Sequence, residues 1–189
     1  MTTITIRLSE EEKQMKQDAI LCDLNEGAAP YRPRYIIPDY SILMEKGSKF
    51  LDLPAPTNLL EATNYLLIMY QHVPSITTFP VFLGNLDELL ERFVVKEEYA
   101  YAKDLLRMFL LNIDRTLTDS FVHADIGPKE SVTGKILLEL TCEMQCAMPN
   151  LTLKYNENIT SDEFAKLCAK AMLKVAKPSF ANHKMFCED

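Results

Sequence analysis

The chain has 189 residues, 48% of them apolar and 25% charged, and its 20 Lys and Arg against 27 Asp and Glu give a net charge of −7. That length suits one large domain burying roughly 70% of its unfolded surface, and the composition, free of repeats and low-complexity tracts, excludes a disordered polypeptide. A diffusely acidic surface argues against nucleic acid and anionic membranes as partners. No apolar run reaches the roughly 20 residues of a membrane span, and "MTTITIRLSEEEKQ" lacks the basic-then-apolar order of a signal peptide, so the expected compartment is the cytoplasm.

Ser9 with Glu12 three residues later is a capping-box pattern and predicts a helix running to Gly27. In "GAAPYRPRYIIPDY" the prolines at 30, 33 and 38 force an extended connector, after which a short helix ends at Gly47. A third helix spans Thr57 to Tyr70 and breaks at Pro74, and "HVPSITTFPVFLG" reads as the loop behind it. Asn85 with Glu88 caps a short helix, and Lys96 to Asp114 forms a long one with Ala102, Leu105, Leu106, Phe109 and Ile113 on one face. Because "YLLIMY" (65–70) and 105–111 are apolar nearly all round, these helices are expected to be buried on several sides. Alone, the chain is expected to expose apolar surface and self-associate.

After the loop "LTDSFVHADIGP", a helix of about four turns runs from near Ser131 to Cys146, before Pro149. In "NLTLKY" Leu151, Leu153 and Tyr155 alternate with Asn150, Thr152 and Lys154, the period-two pattern of a strand with one polar face. Thr160 with Glu163 opens a last helix to Ala176, and "KPSFANHKMFCED" shows no regular pattern. The expected fold is mainly α with a few short strands, a single partial domain over 1–189 in which the first 19 residues are an N-terminal helix.

Three motifs bear on chemistry. "SVTGK" at 131–135 is not a phosphate loop: six residues, rather than four, separate Gly127 from Gly134, and Ile136 stands where a magnesium-binding hydroxyl is needed. Cys142 and Cys146 lie four apart on one helical face without a third and fourth ligand nearby, so they are read as core thiols; the five cysteines are odd in number and suit a reducing compartment. No metal site is expected. The histidines at 72, 123 and 183 follow helices or lie in the tail, and His123 has Asp119 and Asp125 close in sequence, a grouping that suits proton transfer or a loop-anchoring hydrogen bond. With the polar strand face at Asn150, these make His72, Asp119, His123 and Asn150 the candidate substrate-binding residues.

The segments "EGAAPYRPRYIIPDY", "YQHVPSITTFPVFLGNLDELL", "IDRTLTDSFVHADIGP", "PNLTLKYNENITSDEF" and "AKPSFANHKMF" occur in an order that resembles the YjjI-type glycyl radical enzymes, relatives of pyruvate formate-lyase, from about Ile20 to the last residue. The resemblance implies the first part of a ten-stranded α/β barrel, two antiparallel halves of five strands wrapped in helices. It further implies anaerobic radical chemistry of the formate acetyltransferase kind. In that scheme a separate radical-SAM activase installs a radical on a glycine in an R-V-[SCT]-G-[YF] loop, and the radical is passed to a catalytic cysteine.

Measured against that pattern, the reacting cysteine lies beyond the segment matching "KPSFANHKMF", Cys187 stands too close to it, and the radical loop lies hundreds of residues further on. Val132-Thr133-Gly134 is similar to the radical loop, but Ser131 replaces its arginine and Lys135 its aromatic residue, so Ser131 is read as a helix cap and Gly134 as a mild cost of about 1 kcal/mol in that helix. The chain is therefore expected to be an amino-terminal portion with no catalytic residue and no cofactor of its own, inactive alone and completed by the remaining carboxy-terminal portion. The competing reading is a binding or scaffolding module derived from the same fold.

Overall fold

The computed structural model describes residues 38–76, 81–116 and 122–185. The expected helix from Ser9 to Gly27, most of the proline connector, Asp119, Cys22 and Cys187 lie outside these residues.

Helix α1 (Tyr40–Lys46) starts at Asp39, whose Oδ1 accepts from the amides of Ser41 and Ile42 at 3.1 and 3.4 Å, and it stops at Gly47, where φ is 71°. A side chain at Gly47 would collide with the backbone of Leu53 and Pro54, so the glycine is demanded by close approach as well as by the left-handed turn. Helix α2 (Leu59–Ile76) opens with a reciprocal cap: Asn58 Oδ1 accepts from the Glu61 amide at 2.9 Å, and Glu61 Oε2 accepts from the Thr57 amide at 2.7 Å. It does not break at Pro74 but continues to Ile76, since a proline removes one hydrogen bond without forbidding helical backbone after it.

Strand β1 (Val81–Asn85) runs directly into α3 (Leu86–Val94), and α4 (Tyr99–Arg115) follows. Then come β2 (Val122–Ile126), α5 (Val132–Met144), β3 (Asn150–Tyr155), α6 (Asp162–Val175), β4 (Ser179–Asn182) and a 3₁₀ turn at His183–Met185. The mainly helical expectation holds, with four short strands. Only β3 is legible from its period. The stretches containing β1, β2 and β4 read as irregular because four or five residues between helices, polar or apolar on both faces, show no clean alternation.

The strands form one parallel sheet in the order β1-β2-β3-β4. Right-handed crossovers between neighbours taken in chain order place their helices on the same side of the sheet. Burial agrees: Val81, Leu83, Val122, Ala124, Ile126, Leu151 and Leu153 are at most 1% exposed and join Leu86, Leu90, Ile136, Leu140 and Phe164 in one apolar cluster. Each of the Val, Leu, Ile and Phe side chains contributes about 1.5–3 kcal/mol through its burial.

Helix α2 packs on α1, α3, α4 and β1, which accounts for its apolar residues on several faces: Leu59, Ala62, Leu66 and Tyr70 are buried, and Leu67, Ile68 and Met69 are half-buried against the same cluster. In α4 the all-round pattern is only partly used, because Met108 stays 64% exposed. Among the described residues no helix is long and apolar enough to cross a membrane.

Candidate functional site on the polar face of the sheet

Alternation along β2 turns His123 and Asp125 away from the helices while Val122, Ala124 and Ile126 face them. The parallel register sets His123 beside Asn150 and Asp125 beside Thr152, so all four, with Lys154 two residues further along β3, share the second face of the sheet. Lys154 Nζ lies 2.9 Å from Asp125 Oδ2, with the two side chains 14% and 3% exposed. The contact is an ion pair in a poorly solvated place.

Burial raises the Asp125 carboxyl above its ordinary range, and the opposing pulls of Lys154 and His123 do not cancel it. Burial also lowers the His123 imidazole, helped by Lys177 and opposed by Asp125. His123 is therefore neutral at pH 7, with one ring nitrogen able to donate and the other to accept. The face brings together a neutral imidazole, a carboxylate, an ammonium, an amide and a hydroxyl, enough to orient a polar ligand and to move a proton.

The edges of this face are held firmly. Lys177 Nζ donates to the carbonyls of Cys146 at 3.0 Å, Pro149 at 3.2 Å and Ala147, tying the start of β4 to the turn entering β3. At the other end the loop leaving β2 is pinned by two carboxylates four apart on α3. Asp87 Oδ2 accepts from the Gly127 amide at 3.0 Å and from Ser131 Oγ at 2.8 Å, while Glu91 accepts from the amides of Val132 and Thr133 at 3.0 and 2.9 Å and from Thr133 Oγ1 at 2.6 Å. Thr160 Oγ1 donates to the Pro128 carbonyl at 2.9 Å, and Ser161 Oγ donates to Glu130 Oε2 at 2.5 Å.

These contacts settle what "SVTGK" is. Ser131 caps α5, its Oγ accepting from the Gly134 amide at 2.9 Å, and Glu91 already occupies the amide positions where an external anion would sit. Gly134 lies in the first turn of α5 with Ser131, Phe164 and Asp87 crowded around its α-carbon, so it does not fit a radical-storing loop. At the head of α6 the cap is Ser161, accepting from the Phe164 amide at 3.1 Å, rather than Thr160. Thr160 is instead spent on Pro128 and on the Asn156 amide.

Of the residues singled out in the sequence, His123 and Asn150 are brought together on one face. His72 lies on the exposed surface of α2, inside the helix rather than in a loop behind it; Asp119 is outside the described residues. Asp125 and Lys154 were visible only as neighbours of the named residues, and nothing local marks Asp87, an acidic residue in a helix's first turn, as buried. Cys146 lies past the left-handed cap Gln145, so it does not continue the helical face of Cys142. Burial pushes the Cys168 thiol up to about 12 and raises Cys146 as well, marking packed, unactivated thiols. Among the described residues no three His, Cys, Asp or Glu side chains are grouped as a metal would need.

Comparison with known proteins places the chain in a family. The model of the glycyl radical enzyme YjjI-like family matches residues 2–189. An uncharacterized protein of Haemophilus influenzae is 49% identical over 181 residues, covering 96% of this chain and 35% of its own length. The uncharacterized protein YjjI of Escherichia coli is 38% identical over 176 residues, covering 93% of this chain and 34% of its own length. The chain thus spans about a third of the length of the curated relatives it matches. On the extent of the family match and these identities, the chain belongs to the YjjI-like family of glycyl radical enzymes.

Proposed function

We propose that this chain is the amino-terminal portion of a glycyl radical enzyme and forms part of the wall of its reaction chamber, with the polar face of the sheet turned toward substrate. The observation carrying this reading is the face itself: a parallel sheet laid down in chain order keeps its helices on one side and gathers His123, Asp125, Asn150, Thr152 and Lys154 on the other. Four strands so arranged suit four of the five in one half of the family's barrel.

In the complete protein the radical supplies hydrogen abstraction through a cysteine thiol. Neither the radical glycine nor that thiol is placed on the described residues of this chain. What these residues contribute is binding and positioning: the Asp125–Lys154 pair presents fixed charge in a dry setting, and neutral His123 exchanges a hydrogen bond or a proton with a substrate oxygen. The activating partner is a radical-SAM activase acting on the complete protein, and the polar face is covered by the remaining carboxy-terminal portion.

Two measurements test this. Incubated anaerobically with the matching activase, S-adenosylmethionine and reductant, a complete relative is expected to show a glycyl radical by electron paramagnetic resonance and this chain none; a radical on this chain would defeat the reading. A cysteine replacing Thr152 is expected to react readily with a small thiol reagent in this chain and to be protected in the complete protein. Equal rates would point to the alternative, a binding or scaffolding module whose polar face no second portion covers.

A further inference from the structure

A cavity of about 610 Å³ opens between α1 and α3 at the carboxyl end of β1, apart from the polar face of the sheet, in the size range and at the strand end where parallel α/β folds hold small ligands. Arg92 is its most informative residue. Its guanidinium donates through Nη2 to the Met44 carbonyl and stacks 4.6 Å from the Phe93 ring centroid, which fixes its plane.

Glu88, four residues earlier on α3 and the expected helical partner of Arg92, instead accepts from Asn85 Nδ2 at 3.0 Å. No described carboxylate is in ion-pair contact with Arg92. A guanidinium has five N–H donors in a planar fork matched to a carboxylate. Here the fork is oriented by its own helix and by α1, and among the described residues its one hydrogen-bond acceptor is the Met44 carbonyl.

The rest of the lining is of opposite charge. Asp39, Glu45 and Glu88 set three carboxylates against the one guanidinium, an excess that repels phosphate and dicarboxylates and attracts an ammonium group. Met44 and Leu89 supply apolar surface between them. Two further polar atoms of lining residues, Tyr40 Oη and Asn85 Oδ1, are buried with no hydrogen-bond partner among the described residues, and Tyr40 is only 3% exposed, an arrangement that native interiors rarely leave uncompensated.

We propose that this cavity binds a small zwitterion, a free α-amino acid with an apolar side chain. Its carboxylate lies on Arg92, its ammonium on the acidic rim and its side chain against Met44 and Leu89. The site is independent of the reading of the sheet face as a chamber wall.

The test is calorimetric and NMR titration of the full chain with leucine, with 4-methylpentanoate, which keeps the carboxylate but lacks the amine, and with 3-methylbutylamine, which keeps the amine alone. Leucine is expected to bind, and each truncated probe to bind roughly tenfold or more weakly, the loss typical of a removed charge-assisted contact. Arg92→Gln is expected to stay folded by circular dichroism and lose leucine binding, whereas Glu88→Gln weakens leucine without weakening 4-methylpentanoate. Absence of leucine binding at millimolar concentration, equal binding of the amine alone, or unchanged affinity in Arg92→Gln would each overturn the proposal.

Discussion

Replacing Gly134 by alanine sets two physical arguments against each other. Taken as an ordinary helix-interior position, the glycine costs about 1 kcal/mol relative to alanine, so the substitution should stabilise. The structure reverses the sign. An added Cβ would stand 2.8 Å from Ser131 Oγ, 3.1 Å from Phe164 Cζ and 3.2 Å from Asp87 Oδ2. None of these neighbours yields easily: Phe164 and Asp87 are 1% and 2% exposed, and Ser131 Oγ is fixed as acceptor from the Gly134 amide and donor to Asp87.

Overpacking of this kind costs about 1–3 kcal/mol, and displacing the Ser131 cap costs about 1 more. Against these stands the helix-propensity gain of about 1 kcal/mol. The expected net loss is about 1–3 kcal/mol, and each kcal/mol lowers the melting temperature by about 2–4 °C in a chain of this size. Urea unfolding followed by circular dichroism measures it. The double variant with Ser131→Ala removes the nearest clash, so its cost is expected to fall below the sum of the two single costs. A Gly134→Ala chain as stable as wild type would refute the close-packing argument, as would simple additivity in the double variant.

Other outcomes follow from the ionisable groups. Burial holds the folded Asp87 carboxyl above its ordinary value of 3.8, so its contribution to stability is full below that value and is lost as pH rises through the folded pKa. The stability difference between wild type and Asp87→Asn is thus expected to shift against wild type as pH is raised from acid to neutral; parallel profiles in urea titrations would rule this out. His123 is expected to titrate below 6.5 by NMR, and lower still in Asp125→Asn, because Asp125 pulls it upward; an unchanged or higher midpoint in the variant would contradict the pairing. Cys168, fully buried with its thiol pushed up to about 12, is expected to resist maleimide in the native chain at pH 8 while half-exposed Cys142 reacts. Rapid native labelling of Cys168 would mean that the core around α6 opens.

Much of this protein is decided by short-range rules. The Ser131 cap, the stop at Gly47, and the apolar periods of α4, α5 and α6 are set by hydrogen bonds and side-chain spacings within a few residues, so they are legible in order along the chain, as is the alternation of β3; the last helix start is legible only to within one residue, its cap being Ser161 rather than Thr160. The segments that place the chain in its family are equally a property of the sequence. What tertiary structure alone decides is everything that depends on residues brought together from afar. The strand character of 81–85, 122–126 and 179–182 comes from pairing with neighbours across the sheet, since such short runs have little preference of their own. The partnership of Asp125 with Lys154 comes from register across two strands, and the burial of Asp87 from α3 lying against the head of α5. Gly134 is the clearest case: its sequence neighbours suggest a tolerated helix breaker, and only the approach of α3 and α6 shows that there is no room for anything else.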